Sequence, residues 1–435
     1  MLCFLVPFLA SSNVMTRQNR RNFLWSTAAL STVALTTSAR EFESQLPSAF
    51  SSLKPLSDRV RPITPDEFHS RLVHAQQLMT DLDPKFDGIF VGPGTSLYYF
   101  TGVRWGPSER LLALVLPRNG PPLLVSPAFE EGRVRELLRY PIEVRVWQED
   151  QSPTAFIAGF LAERGVRRVG IEEALPFTFF DHFRAAAPGI ECVSADPVTI
   201  GCRARKSAHE LELLRLACES TCNVYRLVFE NLQEGMTAED INRMVMGGYA
   251  KMGLHGYALV LLGPAAALPH GTREPQVLKE GDVVLIDDGC QVEGYFSDVT
   301  RTAVFGKPTE KIERAYHAVR EAQDAALDRA RAGKFSGSVD DAARGVITSA
   351  GFGPDYKFFT HRLGHGIGLD GHEHPYLVRG SKTVLEPGMT FSNEPGIYVP
   401  GEFGIRCEDV MAIAATGPAQ LLTPGFQVAL EKPFG

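Results

Sequence analysis

Cysteine is scarce in this sequence, with seven in 435 residues and none at the spacing of a metal knuckle, which excludes a thiolate metal site of that kind. Cys3 goes with the leader, and no disulfide is expected among Cys192, Cys202, Cys218, Cys222, Cys290 and Cys407. Cys218 and Cys222, one helical turn apart, read as small buried apolar side chains. Positive charge is not in excess either. The net charge is -7, the pI about 5.9, and Lys and Arg are scattered, so nucleic acid is excluded as a partner. Beyond residue 40 no apolar run approaches the roughly 20 residues of a spanning helix, so no membrane partner is expected for the mature form. No internal repeat is present. What remains is an ordinary globular composition, 44% apolar and 22% charged, on a chain long enough for two domains.

The start of the chain differs from the rest. Arg20-Arg21 precede an uncharged stretch from Asn22 to Ala39 that ends in Thr37-Ser38-Ala39. The stretch is too short and too rich in Ser and Thr for an anchor, so residues 1–39 read as a twin-arginine export signal and a periplasmic or secreted location is expected. Residues 1 to 14 are apolar and lie ahead of the basic pair, which marks Met15 as the expected true start.

Residues 40–62, rich in Ser, Pro and charge, read as a linker. A first domain is expected over 63–200. Thr64-Pro65-Asp66-Glu67 opens a helix, and strand-like runs at 88–91, 97–100, 111–116, 123–125, 142–147 and 169–172 alternate with helical stretches near 128–138, 153–164 and 177–185. This is an α/β pattern. A second domain is expected over 201–435. Ser207 to Glu210 has capping-box spacing, Thr237 caps a second helix, and Pro308-Thr309-Glu310 opens a third that reaches about Ala332. Apolar strands are expected at 258–262, 283–286, 389–392 and 405–413; helices and strands are grouped, which predicts α+β with an antiparallel sheet.

Polar residues cluster at the ends of those strands. Asp287 ends the run Val283 to Ile286, and Asp298 follows eleven residues later across a Gly294-Tyr295 turn. Four of the chain's 11 histidines, His361, His365, His372 and His374, fall within 14 residues, with glycines around His365. Glu394 stands in Asn393-Glu394-Pro395, and Glu408 in an apolar run that continues to Ile413. Any one of these alone reads as a turn former or a satisfied core residue. Together, four carboxylates and an imidazole in apolar surroundings call for compensating cations, and two divalent ions balance four charges. Asp288, Asp409, His374, Cys290 and Cys407 are read as structural neighbours.

The runs IDDGCQVEGYFSDVTRT, HRLGHGIGLDGH, SNEPGIY and GIRCEDV, in that order, resemble those of the pita-bread metallopeptidases, above all aminopeptidase P and prolidase, over about residues 60 to 431. The resemblance implies a creatinase-like α/β N-terminal domain followed by an α+β pita-bread catalytic domain. It implies that Asp287 binds metal, that Asp298 and Glu408 each bridge two ions, and that His365 and Glu394 serve the same ion. His270, His361 and His372 then face the substrate, and Arg406 stands behind the ligands. The implied activity is release of the N-terminal residue from Xaa-Pro peptides by a metal-activated hydroxide, with Glu394 accepting the proton. An oxygen-rich set with one imidazole favours Mn²⁺, with Fe²⁺, Co²⁺ or Zn²⁺ as alternatives. A homodimer is implied by resemblance alone. Three other readings stand beside the aminopeptidase: a dipeptide-only prolidase, a lyase or other non-peptidase enzyme on the same scaffold, and a metal-free binding module.

Overall fold

The computed structural model describes residues 46–435. The expected export signal and the first residues of the linker lie outside the described residues.

Thr64 caps helix α1 (Pro65–Asp81), its side chain and that of Glu67 satisfying each other's backbone N–H groups in a capping box. The first unit continues as β1 (Gly88–Val91), α2 (Thr95–Thr101), β2 (Ala113–Pro117), β3 (Leu123–Pro127), α3 (Glu131–Leu137), β4 (Glu143–Trp147), α4 (Pro153–Glu163), β5 (Arg168–Ile171), α5 (Phe177–Ala186), β6 (Glu191–Ser194) and α6 (Asp196–Ala204). Its strands form one mixed sheet in the order β4-β3-β2-β1-β5-β6. Side chains alternate between two cores: Ile89 and Val91 enter one, Phe90 the other, so both faces are covered and the strands read as continuous apolar runs.

Leu97 to Phe100 is not a strand but the middle of α2, which Gly102 ends at φ 77. Leu97, Tyr99 and Phe100 are all buried, and an apolar run this short does not distinguish a buried helix from a buried strand. The described part of the 40–62 segment is no free tether: Phe50 and Leu56 are buried in the core, the Leu56 N–H donates to the Met252 carbonyl (3.1 Å), and Arg59 pairs with Glu219. Gly248 makes the slot, because a Cβ there would lie 3.3 Å from the Phe50 ring. The division placed at residue 200 falls inside α6, so the chain passes to the second unit after Ala204.

Capping boxes at Ser207 with Glu210 and at Thr237 with Asp240 start α7 (Ala208–Glu230) and α8 (Ala238–Lys251). Strands β7 (His255–Gly256), β8 (Leu259–Leu262), β9 (Val283–Asp287), β10 (Cys290–Val292), β11 (Tyr295–Phe296) and β12 (Arg301–Val304) follow, then α9 (Glu310–Arg329) and α10 (Gly337–Ile347). The chain ends with β13 (Gly364–Gly366), β14 (Glu373–Leu377), β15 (Thr390–Asn393), β16 (Gly396–Val399), β17 (Phe403–Arg406), β18 (Asp409–Ala412) and β19 (Gln420–Leu421). Sheets β12-β9-β8 and β14-β13-β15-β18-β19 are antiparallel and lie between helix layers. On β9, Val284 and Ile286 pack into the core shared with α7 and α8, while Val283 and Leu285 pack into that of α9 and α10. Each such side chain stabilises by about 1.5–3 kcal/mol relative to exposure. The run from Ile405 to Ile413 is not one strand: Cys407 and Glu408 separate β17, paired with β16, from β18, paired with β15. No helix among the described residues is long and apolar enough to cross a membrane.

Candidate metal centre

Asp287 is the last residue of β9, where a strand buried on both faces reaches its open end. The turn Glu293-Gly294 has φ 49 and 90, which suits the two-residue loop of a twisted hairpin and returns β11 against β10. Asp298 then lies between β11 and β12, beside Asp287. His365 is central in β13, Glu394 follows β15, and Glu408 occupies the break between β17 and β18. β13 approaches β15 closely because residue 364 is glycine: a Cβ there would stand 2.1 Å from the Ser392 carbonyl oxygen. The result is three overlapping sets of ligand atoms, each within 4.8 Å: Asp287, Asp298 and Glu408; His365, Glu394 and Glu408; Asp298, His365 and His372. The five ligands expected from the sequence are thus brought together.

The electrostatics are those of crowded acid. Burial, then Asp287, pushes the Asp298 carboxyl well above its usual range, and burial, then Asp298, does the same to Glu408. Asp288, held at φ 82 with its carboxylate accepting from the Leu259 N–H (3.2 Å), is pushed up to about 7 by burial and Asp287. Burial also works against the Glu394 anion, but His365, His361 and Arg406 outweigh it and hold the carboxyl down at about 2. His365 Nε2 lies 3.2 Å from Glu394 Oε1 and 3.6 Å from Asp298 Oδ2. Its Nδ1 faces the Gly366 carbonyl at 3.1 Å, which fixes the tautomer that leaves Nε2 as the ligand atom.

Behind the carboxylates, Arg406 pairs with Asp287 and donates to the Tyr398 hydroxyl (3.0 Å) and to Thr300 Oγ1 (2.9 Å). The Thr300 hydroxyl sits between Asp287 and Glu408, 2.6 Å from Glu408 Oε2. Ser392 accepts from the His365 N–H (3.0 Å) and donates to Glu394 (3.1 Å). These three hydroxyls orient the expected ligands, and nothing in the sequence singles them out from ordinary strand residues. Asp409, in contrast, is fully buried against Arg301 at 2.7 Å and faces away, as alternation requires.

The cluster forms one end of a cavity of about 740 Å³, whose wall also carries His270, His361, His372, Tyr257, Leu259 and Arg362. The Tyr398 hydroxyl lies 2.8 Å from His361 Nε2 and His361 Nδ1 donates to the Arg362 carbonyl (2.7 Å), so both ring nitrogens are engaged, while burial lowers the ring's pKa. His372 stacks on His365, and burial with that neighbour lowers it to about 4. His270 is exposed at the rim. Arg362, which sequence reasoning missed, stacks its guanidinium over Tyr376 at 4.1 Å and has no carboxylate partner among the described residues.

Buried carboxylates that cannot all ionise unaided, with one imidazole nitrogen aimed among them, fit divalent cations.

Residues 212–415 match "Metallopeptidase family M24" and residues 71–205 match "Creatinase/Prolidase N-terminal domain". Among similar chains, "Probable dipeptidase PepE" of Mycobacterium tuberculosis is 35% identical over 340 residues, 77% of this chain and 89% of that protein. The "Xaa-Pro dipeptidase" of Pyrococcus horikoshii is 31% identical over 77% of this chain and 92% of its own. The crystal structure of dipeptidase PepE from Mycobacterium ulcerans superposes with a TM-score of 0.77 at 32% identity, covering 84% of this chain and 98% of that one.

Proposed function

This chain belongs to metallopeptidase family M24, a family of divalent-metal peptidases, with a creatinase/prolidase N-terminal domain before the catalytic one; on that premise we propose that it is a dinuclear Xaa-Pro dipeptidase. The sequence motifs alone favoured the aminopeptidase. Similar proteins are named dipeptidases, and the order is reversed here. The observation that carries the proposal is the three overlapping ligand sets at one end of a cavity whose wall holds an uncommitted guanidinium.

Asp287, Asp298, His365, Glu394 and Glu408 would hold two divalent ions, Mn²⁺ first. When bound, these would neutralise the carboxylates, acidify a water and polarise the scissile carbonyl. Glu394 is kept anionic by His365, His361 and Arg406 and is the group to accept the water's proton. Arg406 and Thr300 fix the direction of Asp287. His372 and His270 offer donors to the oxygen on which charge develops, and His361, both of whose ring nitrogens are engaged, lines the substrate side of the same wall. A dipeptide's free α-carboxylate needs a cation close to the scissile bond, and Arg362 pairs with no carboxylate among the described residues.

The test compares Xaa-Pro, Xaa-Pro-amide and Xaa-Pro-Yaa on the wild type and on Arg362→Gln. A dipeptidase cuts Xaa-Pro best, and the variant loses that preference through a raised KM while the amide is cut as before. Preference for Xaa-Pro-Yaa in the wild type would restore the aminopeptidase reading.

A further inference from the structure

His372 is not held by its own ring nitrogens: among the described residues it forms no hydrogen bond, and its ring stacks on His365 with centroids 3.6 Å and planes 20° apart. Its place therefore comes from its backbone, the loop joining β13 to β14. That loop is fastened from the other domain. Asp370, two residues before His372, accepts from Thr95 Oγ1 (2.5 Å) and pairs with Arg203 Nη2 (2.5 Å). Glu373, the residue after it, pairs with the same Arg203 nitrogen (2.6 Å) and with Lys206 Nζ (2.5 Å). Arg203 lies in the last turn of α6, and Thr95 begins α2, both in the N-terminal domain. One guanidinium thus ties together the two carboxylates that flank His372. The fit is tight: a Cβ at Gly368 would meet Glu373 Oε1 at 2.6 Å and Lys206 Cε at 2.8 Å.

We propose that Arg203 is a positioning residue of the peptidase reaction, through which the N-terminal domain holds the loop of residues 368–373 and keeps His372 against His365 at the edge of the metal cluster. This rests on the reading above, in which His372 faces the substrate. Without Arg203 its pairs with Asp370 and Glu373 are cut, and of these anchors to the N-terminal domain the loop keeps only the hydrogen bond from Thr95 to Asp370. His372 then leaves the stack without any change in its own chemistry.

The full chain loaded with Mn²⁺ supplies the test. Arg203→Gln should lower kcat/KM for Xaa-Pro roughly ten- to a hundredfold, the usual cost of losing a partner that orients a group in a metal site. Arg203→Lys, which keeps a cation, should recover most of it. In a His372→Ala background, Arg203→Gln should cost less than about twofold, since the two act as one unit. A second readout is independent of metal and activity. In metal-free protein with ¹³C-labelled histidine, the His372 ring signal, assigned by its loss in His372→Ala, should carry the ring-current shift of the stack and lose it in Arg203→Gln. If Arg203→Gln does not fold, Asp370→Asn removes one arm of the bridge and is measured in its place. Additive losses in the double variant, or an unmoved His372 signal, overturn the proposal. Should the wild type cut no Xaa-Pro peptide, the peptidase reading fails, and the His372 signal still decides whether Arg203 positions that ring.

Discussion

Glu394 and His365 meet with Oε1 3.2 Å from Nε2, while Ser392 bonds both residues. The pair keeps the carboxylate ionised and aimed into the cavity. Glu394→Gln is therefore predicted to fold normally, with an unchanged circular dichroism spectrum, and to lose turnover by at least the 10²–10⁴-fold typical of a lost general base. Metal affinity should weaken as well, because the residue is also a proposed ligand. A variant with near wild-type kcat would remove Glu394 from the chemistry.

The sharing of ligand atoms predicts unequal metal losses. In the proposed ligand set Asp298, which lies among Asp287 and Glu408, bridges both ions, so Asp298→Ala should lose both; His365, which serves one of them, should on change to Ala loosen mainly that one. His372→Ala should keep both and lose activity. Elemental analysis of the purified variants checks each count, and loss of an ion from His372→Ala would make that residue a ligand.

Glu373 gives the pH dependence. Burial works to raise its carboxyl, but Lys206 and Arg203 outweigh burial and hold it below the usual range. A depressed folded pKa stabilises the fold above the unfolded value of about 4.3, and that contribution is lost as pH falls through the folded value. Glu373→Gln should cost roughly 3–5 kcal/mol at pH 7, as for a broken buried pair. The gap from wild type should narrow below about pH 4. Urea unfolding of both proteins across this range checks it, and a gap independent of pH would contradict it.

The leader carries a separate prediction, motivated by Arg20-Arg21 and the short uncharged run after them. Changing both to Lys should leave the protein in the cytoplasm, while the wild type is exported and cleaved near Ala39. Fractionation with N-terminal sequencing measures this, and equal export of the variant would discard the twin-arginine reading.

Much of the site was legible because charge in an apolar run is conspicuous: Asp287 after Val283 to Ile286 and Glu408 before Val410 stand out without any structure. Thr300, Ser392 and Tyr398 did not, since uncharged residues on strands look the same whether they bind a carboxylate or a neighbour's backbone. Arg203 was equally hidden, because its partners Asp370 and Glu373 lie 167 and 170 residues away and no local pattern links them. Helix α2 was read as a strand because its apolar run was too short for either period to show. The packing of Phe50 and Leu56 was missed because composition describes a segment's average and not the two side chains that find a slot.

The most direct test of the whole account is hydrolysis of Xaa-Pro beside Xaa-Ala by the same Mn²⁺-loaded preparation, before and after chelation and again after Mn²⁺ is returned. The account predicts that Xaa-Pro is cut, that Xaa-Ala is cut far more slowly, that chelation abolishes both activities and that Mn²⁺ restores them. Full activity in metal-free protein, or a metal-loaded enzyme that ignores every Xaa-Pro peptide, would contradict it.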